Sequence, residues 1–127
     1  MKHPILGRLA PDPVGKMLAT NYLRFEAADG VNGLCKIACS RLDILAIHSR
    51  MERRGHVRAL IERCKESFGT ICVWEIWNKN FEQALMRWGF TPEIDITDLG
   101  EAIHGLRWDK SAPSFSPSEK TGIKSLS

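Results

Sequence analysis

The sequence predicts one small α/β domain with a mixed central sheet and flanking helices, and three observations carry that expectation. The chain has 127 residues, 43% of them hydrophobic, which is enough apolar surface for one core and rules out disorder throughout. Its middle alternates between two periods. An apolar run over 41–48 is followed by a helical stripe over 57–68, a β-branched and aromatic run over 70–77, and a second helical stripe over 81–88. Strand, helix, strand in that order implies two parallel neighbouring strands joined by a right-handed crossover. Hairpin-like segments on either side, 22–27 with 33–39 and 93–96 with 103–108, would add antiparallel strands to the same sheet.

The elements follow in chain order. Residues 1–20 read as irregular, because Pro4, Gly7, Pro11, Pro13 and Gly15 interrupt any long helix; a turn of helix fits 14–19. Residues 28–33 carry two glycines and an Asp, and read as the turn of the first hairpin. Leu42, Ile44, Leu45, Ala46 and Ile47 suit a strand covered on both faces. Val57, Leu60, Ile61, Cys64 and Phe68 form one helical stripe, with Arg58, Glu62, Lys65 and Glu66 facing water and Gly69 ending the helix. Asn80 followed by Gln83 resembles a helix-starting box. Phe81, Ala84, Leu85 and Trp88 make the second stripe, which Gly89 closes. After Asp109 the Ser/Pro spacing and lysines predict a flexible tail. The chain thus divides into an irregular segment 1–20, a domain 21–110 and a tail 111–127.

Charge and composition narrow the function classes. A net charge of +3 permits an acidic partner or a phosphate ligand, but there is no base-reading motif and no strong nucleic-acid signal. Cys35, Cys39, Cys64 and Cys72 fit neither CxxC nor a zinc-knuckle spacing, and the histidines show no ligand spacing, so no metal site is expected. The four cysteines read as buried free thiols of a reducing compartment. No apolar run reaches transmembrane length and the N-terminus lacks a signal-peptide core, so the default expectation is cytoplasmic, without a membrane role. Trp74, Trp77, Trp88 and Trp108 suit a core or a protein interface better than base stacking.

The sharpest chemical feature is Glu52-Arg53-Arg54-Gly55-His56-Val57, between the predicted strand and helix. Backbone N–H groups at a helix start can bind a pyrophosphate, Gly55 permits close approach, and Arg53 or Arg54 supplies positive charge. His56 lies within reach of the same ligand. A solvated basic helix entrance is the competing reading.

That stretch resembles the central acyl-CoA motif of the GNAT family of N-acetyltransferases, Gln/Arg-x-x-Gly-x-Gly/Ala, which also follows a strand and opens a helix. Arg58-Ala59-Leu60-Ile61-Glu62 is similar to the family's following helix, and Ile71-Cys72-Val73-Trp74 to its next strand. Asn78 and Trp88-Gly89-Phe90 resemble its later Asn and Gly-Phe landmarks. The resemblance is strongest over 42–90. It implies an acyl-CoA N-acyltransferase-like fold, acetyl-CoA or CoA as ligand, and Arg53, Arg54, Gly55, His56, Val57 and Asn78 as its contacts. Three positions depart from the pattern. Glu52 stands at the Gln/Arg position, Val57 at the second small-residue position, and Leu85 where many members carry a tyrosine that protonates the departing thiolate.

An active enzyme of this kind would pass an acyl group to an amine, with His48 and Glu75 as candidate bases at the end of one central strand and within the other. A noncatalytic protein that keeps the fold for macromolecular assembly, with a partner protein or as a homo-oligomer, is the alternative. Short divergent proteins of this type occur in bacteriophages, some with virions, and the chain resembles those as well.

Overall fold

The computed structural model describes residues 1–13, 22–50, 55–97 and 99–110. The expected helical turn over 14–19, Arg53 and Arg54, and the tail 111–127 lie outside those residues. Among the described residues the strands are β1 (Lys2–His3), β2 (Gly7–Pro11), β3 (Leu23–Glu26), β4 (Val31–Ala38), β5 (Arg41–Ser49), β6 (Thr70–Trp74), β7 (Thr91–Ile96) and β8 (Ala102–Asp109). Among the described residues two α-helices, α1 (His56–Ser67) and α2 (Lys79–Arg87), flank them. The strands form one sheet in the order β1-β2-β3-β4-β5-β6-β8-β7. Every neighbouring pair is antiparallel except β5 and β6, which are parallel. The protein is therefore a mixed α/β fold with a mixed central sheet, as its two periodicities imply.

The opening segment departs from the irregular chain expected over 1–20, because it contributes β1 and β2. Gly7 explains how. Its φ is +76°, and Gly7 and Arg8 both face Glu26, so a glycine bulge starts β2 where a side chain would strike the Glu26 carbonyl at 2.2 Å. Pro11 closes β2 at the strand's end, where a proline is tolerated. His3 braces the turn between them, its Nδ1 accepting from the backbone N–H of Ile5 (3.1 Å) and Leu6 (3.2 Å) while its ring stacks on Phe68.

One core joins both helices to the sheet. Leu42 and Ile44 of β5, Ile71 and Val73 of β6, and Leu106 of β8 meet Leu60, Ile61 and Cys64 of α1 and Leu85 of α2. Each buried Leu or Ile here contributes ~1.5–3 kcal/mol. Lys65, expected in water, instead bridges the helices. It donates to the carbonyl of Trp88 at the end of α2 and lies over the rings of Phe90 and Trp108, at 5.7 and 5.4 Å from their centroids. A helix C-terminus and two aromatic faces attract an ammonium, and the aliphatic stem is covered on the way.

Three boundaries also differ from expectation. Asn78, not Asn80, caps α2: its Oδ1 accepts from the N–H of Asn80 (2.9 Å) and Phe81 (3.1 Å). Gly69 does not cap α1 in a left-handed conformation; Phe68 takes the cap, and Gly69 donates to the Ser40 carbonyl at 2.7 Å. The strand expected over 70–77 stops at Trp74, because Glu75 turns to a φ of +52°.

Three cysteines, Cys35, Cys64 and Cys72, are buried and free, whereas Cys39, expected inside, is exposed in the β4–β5 turn. Burial pushes the thiols of Cys35 and Cys64 up to about 12 and that of Cys72 up to about 11. Thiolates are the reactive form. Iodoacetamide at pH 8 should therefore label Cys39 at least ~100-fold faster than the other three. Peptide mass spectrometry over a time course reads this directly, and comparable rates at all four would contradict the packing.

Candidate functional site

The parallel pair at the centre of the sheet does not run its full length. Arg41, Leu42, Asp43 and Ile44 of β5 pair with Thr70, Ile71, Cys72 and Val73 of β6, and there the ladder stops. At the same level the β4–β5 register shifts: Cys35 faces Ile44 and Leu34 faces Ala46, so Leu45 is an extra, bulged residue. A bulge bends its strand and increases the local twist. β5 continues to Ser49 against β4 alone, while β6 ends at Trp74 and Glu75 turns towards β8, its N–H donating to the carbonyl of His104 at 2.9 Å. Among the described residues, no strand pairs with the β6-side edge of β5 beyond Ile44. That edge offers backbone N–H and C=O groups to any extended ligand.

The chain leaves β5 and enters α1 through Gly55. Its φ of +74° places it in the left-handed region, which explains the glycine. Close approach does not, because a Cβ there would meet nothing within 4 Å. The first turn of α1 presents unpaired backbone N–H groups and the positive end of the helix dipole. His56 is its first residue; the ring Nδ1 is buried and has no hydrogen-bond partner among the described residues. Val57 packs its side chain against the core, so the branched group turns inward.

On the sheet face opposite Ile71 and Val73, the polar side chains are already committed to each other. Arg41 holds Asp43 through Nε (3.0 Å) and Nη2 (3.1 Å), and the Trp74 indole donates to Asp43 at 2.9 Å. Arg107 grips Asp109 at 2.8 and 3.1 Å and Glu93 at 3.1 Å, and the Thr70 hydroxyl donates to Asp109 at 2.7 Å. The hydrogen bond from Arg107 holds the Asp109 carboxyl below its ordinary range, with Thr70 adding to it, and Asp109 and Glu93 together raise the Arg107 guanidinium. Cys72 lies buried within this network as a protonated thiol. These paired groups hold the strands together and leave no free base or nucleophile among them.

The residues singled out from sequence distribute as follows. His48 is exposed in the half of β5 that pairs with β4 alone, opposite Asn32. Glu75 is exposed just past the end of β6, rather than within the strand. His48 lies four residues past Ile44 and Glu75 two past Val73, the last pair of the β5–β6 ladder, and neither makes a side-chain hydrogen bond among the described residues. Gly55, His56 and Val57 stand together at the start of α1. Asn78 spends its side-chain oxygen on the α2 cap. Leu85 is fully buried in the core. Sequence reasoning missed the bulge at Leu45, although one signal marks it: the inward residues Leu42, Ile44 and Ile47 are spaced by two and then by three.

No helix among the described residues is long and apolar enough to cross a membrane, and none of their His, Cys, Asp and Glu side chains group to hold a metal. No protein-family model matches the chain, and no curated protein matches it in sequence.

Proposed function

We propose that the chain is a divergent acyl-CoA-dependent N-acyltransferase acting on an amine that its residues do not identify. The observation that carries this reading is the parallel pairing that stops after Ile44 and Val73, with a helix start at Gly55 beyond the C-terminal end of β5. The resemblance of residues 42–90 to the GNAT pattern supports it independently, and so does the strand order.

The residues would divide the work in a simple way. The edge of β5 at 45–48, which no described strand pairs on the β6 side, would hydrogen-bond an extended amide-bearing arm as a further strand would, and its N–H groups would polarise a thioester carbonyl. The first N–H groups of α1, at Gly55, His56 and Val57, would hold a pyrophosphate, and the unpartnered His56 Nδ1 fits a ligand that supplies a proton donor or, when protonated, an anion. Arg53 and Arg54 would raise affinity. His48 or Glu75 would take a proton from the acceptor ammonium, directly or through water. The freed amine nitrogen then bonds to the carbonyl carbon, the C–S bond breaks, and the extra proton left on that nitrogen passes through water to the departing thiolate. Leu85 cannot donate a proton to that sulfur, so water must. Loss of a positioned general acid lowers rates by ~100- to 10,000-fold.

Two features favour a second reading, a noncatalytic protein of macromolecular assembly such as a virion component: Leu85 is sealed in the core, and Trp77 is 91% exposed. Calorimetry of the full chain with acetyl-CoA and CoA, beside CoA release across a broad amine panel, separates the two. Saturable binding with slow turnover is expected. Absence of binding by either ligand would sink the transferase reading, and copurification in a larger particle would then favour assembly.

A further inference from the structure

One concavity lies at the β1–β2 end of the sheet. It is an open groove of about 1220 Å³ between the β1–β2 hairpin, the end of β3, the start of β4 and α1. Lys2, Arg8, Arg50 and Arg63 line it, and among the described residues Glu26 is the one lining carboxylate. We propose that this groove docks an acidic segment of a partner protein.

Its charge is poorly neutralised from within. Glu26 is shared between Arg8 at 3.8 Å and Arg50 at 3.5 Å, and the two arginine side chains are 79% and 72% exposed. Charge-assisted pairs of good geometry close to about 2.7–2.9 Å, so both contacts are loose. Each guanidinium carries five N–H donors, and most remain available for carboxylates arriving from outside. Glu26 acts as a placeholder that an incoming carboxylate displaces. Arg63 is oriented at the rim by its hydrogen bond to the Pro4 carbonyl at 3.4 Å, which ties α1 to the hairpin. The volume exceeds the ~300–1,000 Å³ of small-molecule pockets, which suits an extended peptide.

Other occupants fit less well. Single-stranded nucleic acid binds by stacking bases on aromatic rings. Among the described lining residues the only aromatic ring is His3, which is already stacked on Phe68 and holds two backbone N–H groups. The chain's own segment 111–127 carries Lys120 and Lys124 against Glu119, a basic excess that this groove would repel. A second copy docked groove to groove would set like charges together.

The test uses a fluorescein-labelled octaglutamate peptide and the full chain at low salt, read by anisotropy. Binding should saturate, weaken at least ~10-fold in the Arg8→Ala/Arg50→Ala double variant, and tighten by ~3-fold in Glu26→Gln. Arg87→Ala, on α2 outside the groove, should leave it unchanged. Thermal melts establish that each variant is folded; Arg8 and Arg50 are exposed, so folding is expected. Octaglutamate binding that ignores the double variant, weakening in Glu26→Gln, or preferential capture of an oligothymidylate that the same variant abolishes would each overturn the proposal.

Discussion

Replacing Gly33 with alanine is expected to lower the stability of the domain by about 3 kcal/mol or more. Gly33 sits in β4 opposite Ile47, beside the bulge. A Cβ at this position would lie 2.0 Å from the Ala46 carbonyl oxygen and 2.9 Å from Cε1 of the buried Phe25. The first contact is with backbone, which cannot rotate away, so β5 must shift where it parts from β6. Gly55→Ala provides the contrast, because its Cβ meets nothing within 4 Å and only the φ of +74° opposes it. Its cost should be about 1–2 kcal/mol. Urea denaturation of the two variants beside the parent measures both. A Gly33→Ala variant within about 0.5 kcal/mol of the parent would mean that β4 and β5 do not approach as described.

On the proposed transferase reading, exchanging Glu52 for arginine should tighten acetyl-CoA binding by about tenfold at low salt. The reversal changes the local charge by two units. At ~6 Å in a water-like dielectric, each unit pair is worth ~0.7 kcal/mol, so the change amounts to about 1.4 kcal/mol, or a factor of ten. The gain should shrink as salt is raised. Glu62→Arg, on the exposed face of α1 nearly two turns further on, should change affinity much less. Calorimetry on the parent and both variants decides the matter. Equal affinity of the parent and Glu52→Arg would move the phosphate away from this turn, while absence of binding in all three would leave the assembly reading in possession.

The candidate site was legible only as a collection of residue types. Gly55, His56 and Val57 stand out because they interrupt two regular patterns, and they remain neighbours at the start of α1. Asn78 looked like a ligand contact, but its oxygen closes the N-terminus of α2, a role that any of several nearby polar residues could have claimed. The opening itself is made of backbone. A bulge at Leu45 and a positive φ at Glu75 carry almost no side-chain signature, so composition and spacing could not announce them.

What the sequence determined by itself was the identity of the central elements. The apolar spacing of Leu60, Ile61 and Cys64 makes α1 amphipathic in any context, and the β-branched run from Thr70 favours a strand wherever it is placed. Their order then makes β5 and β6 parallel, because a strand–helix–strand unit has few other ways to bury both faces. Tertiary structure decided the rest. β1 and β2 are short and bounded by Pro4, Gly7 and Pro11; β2 becomes a strand because β3 offers it an open edge, and β1 then pairs with β2. β8 enters between β6 and β7, an order that no local period encodes. Lys65 leaves water because the end of α2 and two aromatic rings converge on it. Periodicity is a property of neighbouring residues, whereas edges, inserted strands and the gap between β5 and β6 depend on partners far away in the chain.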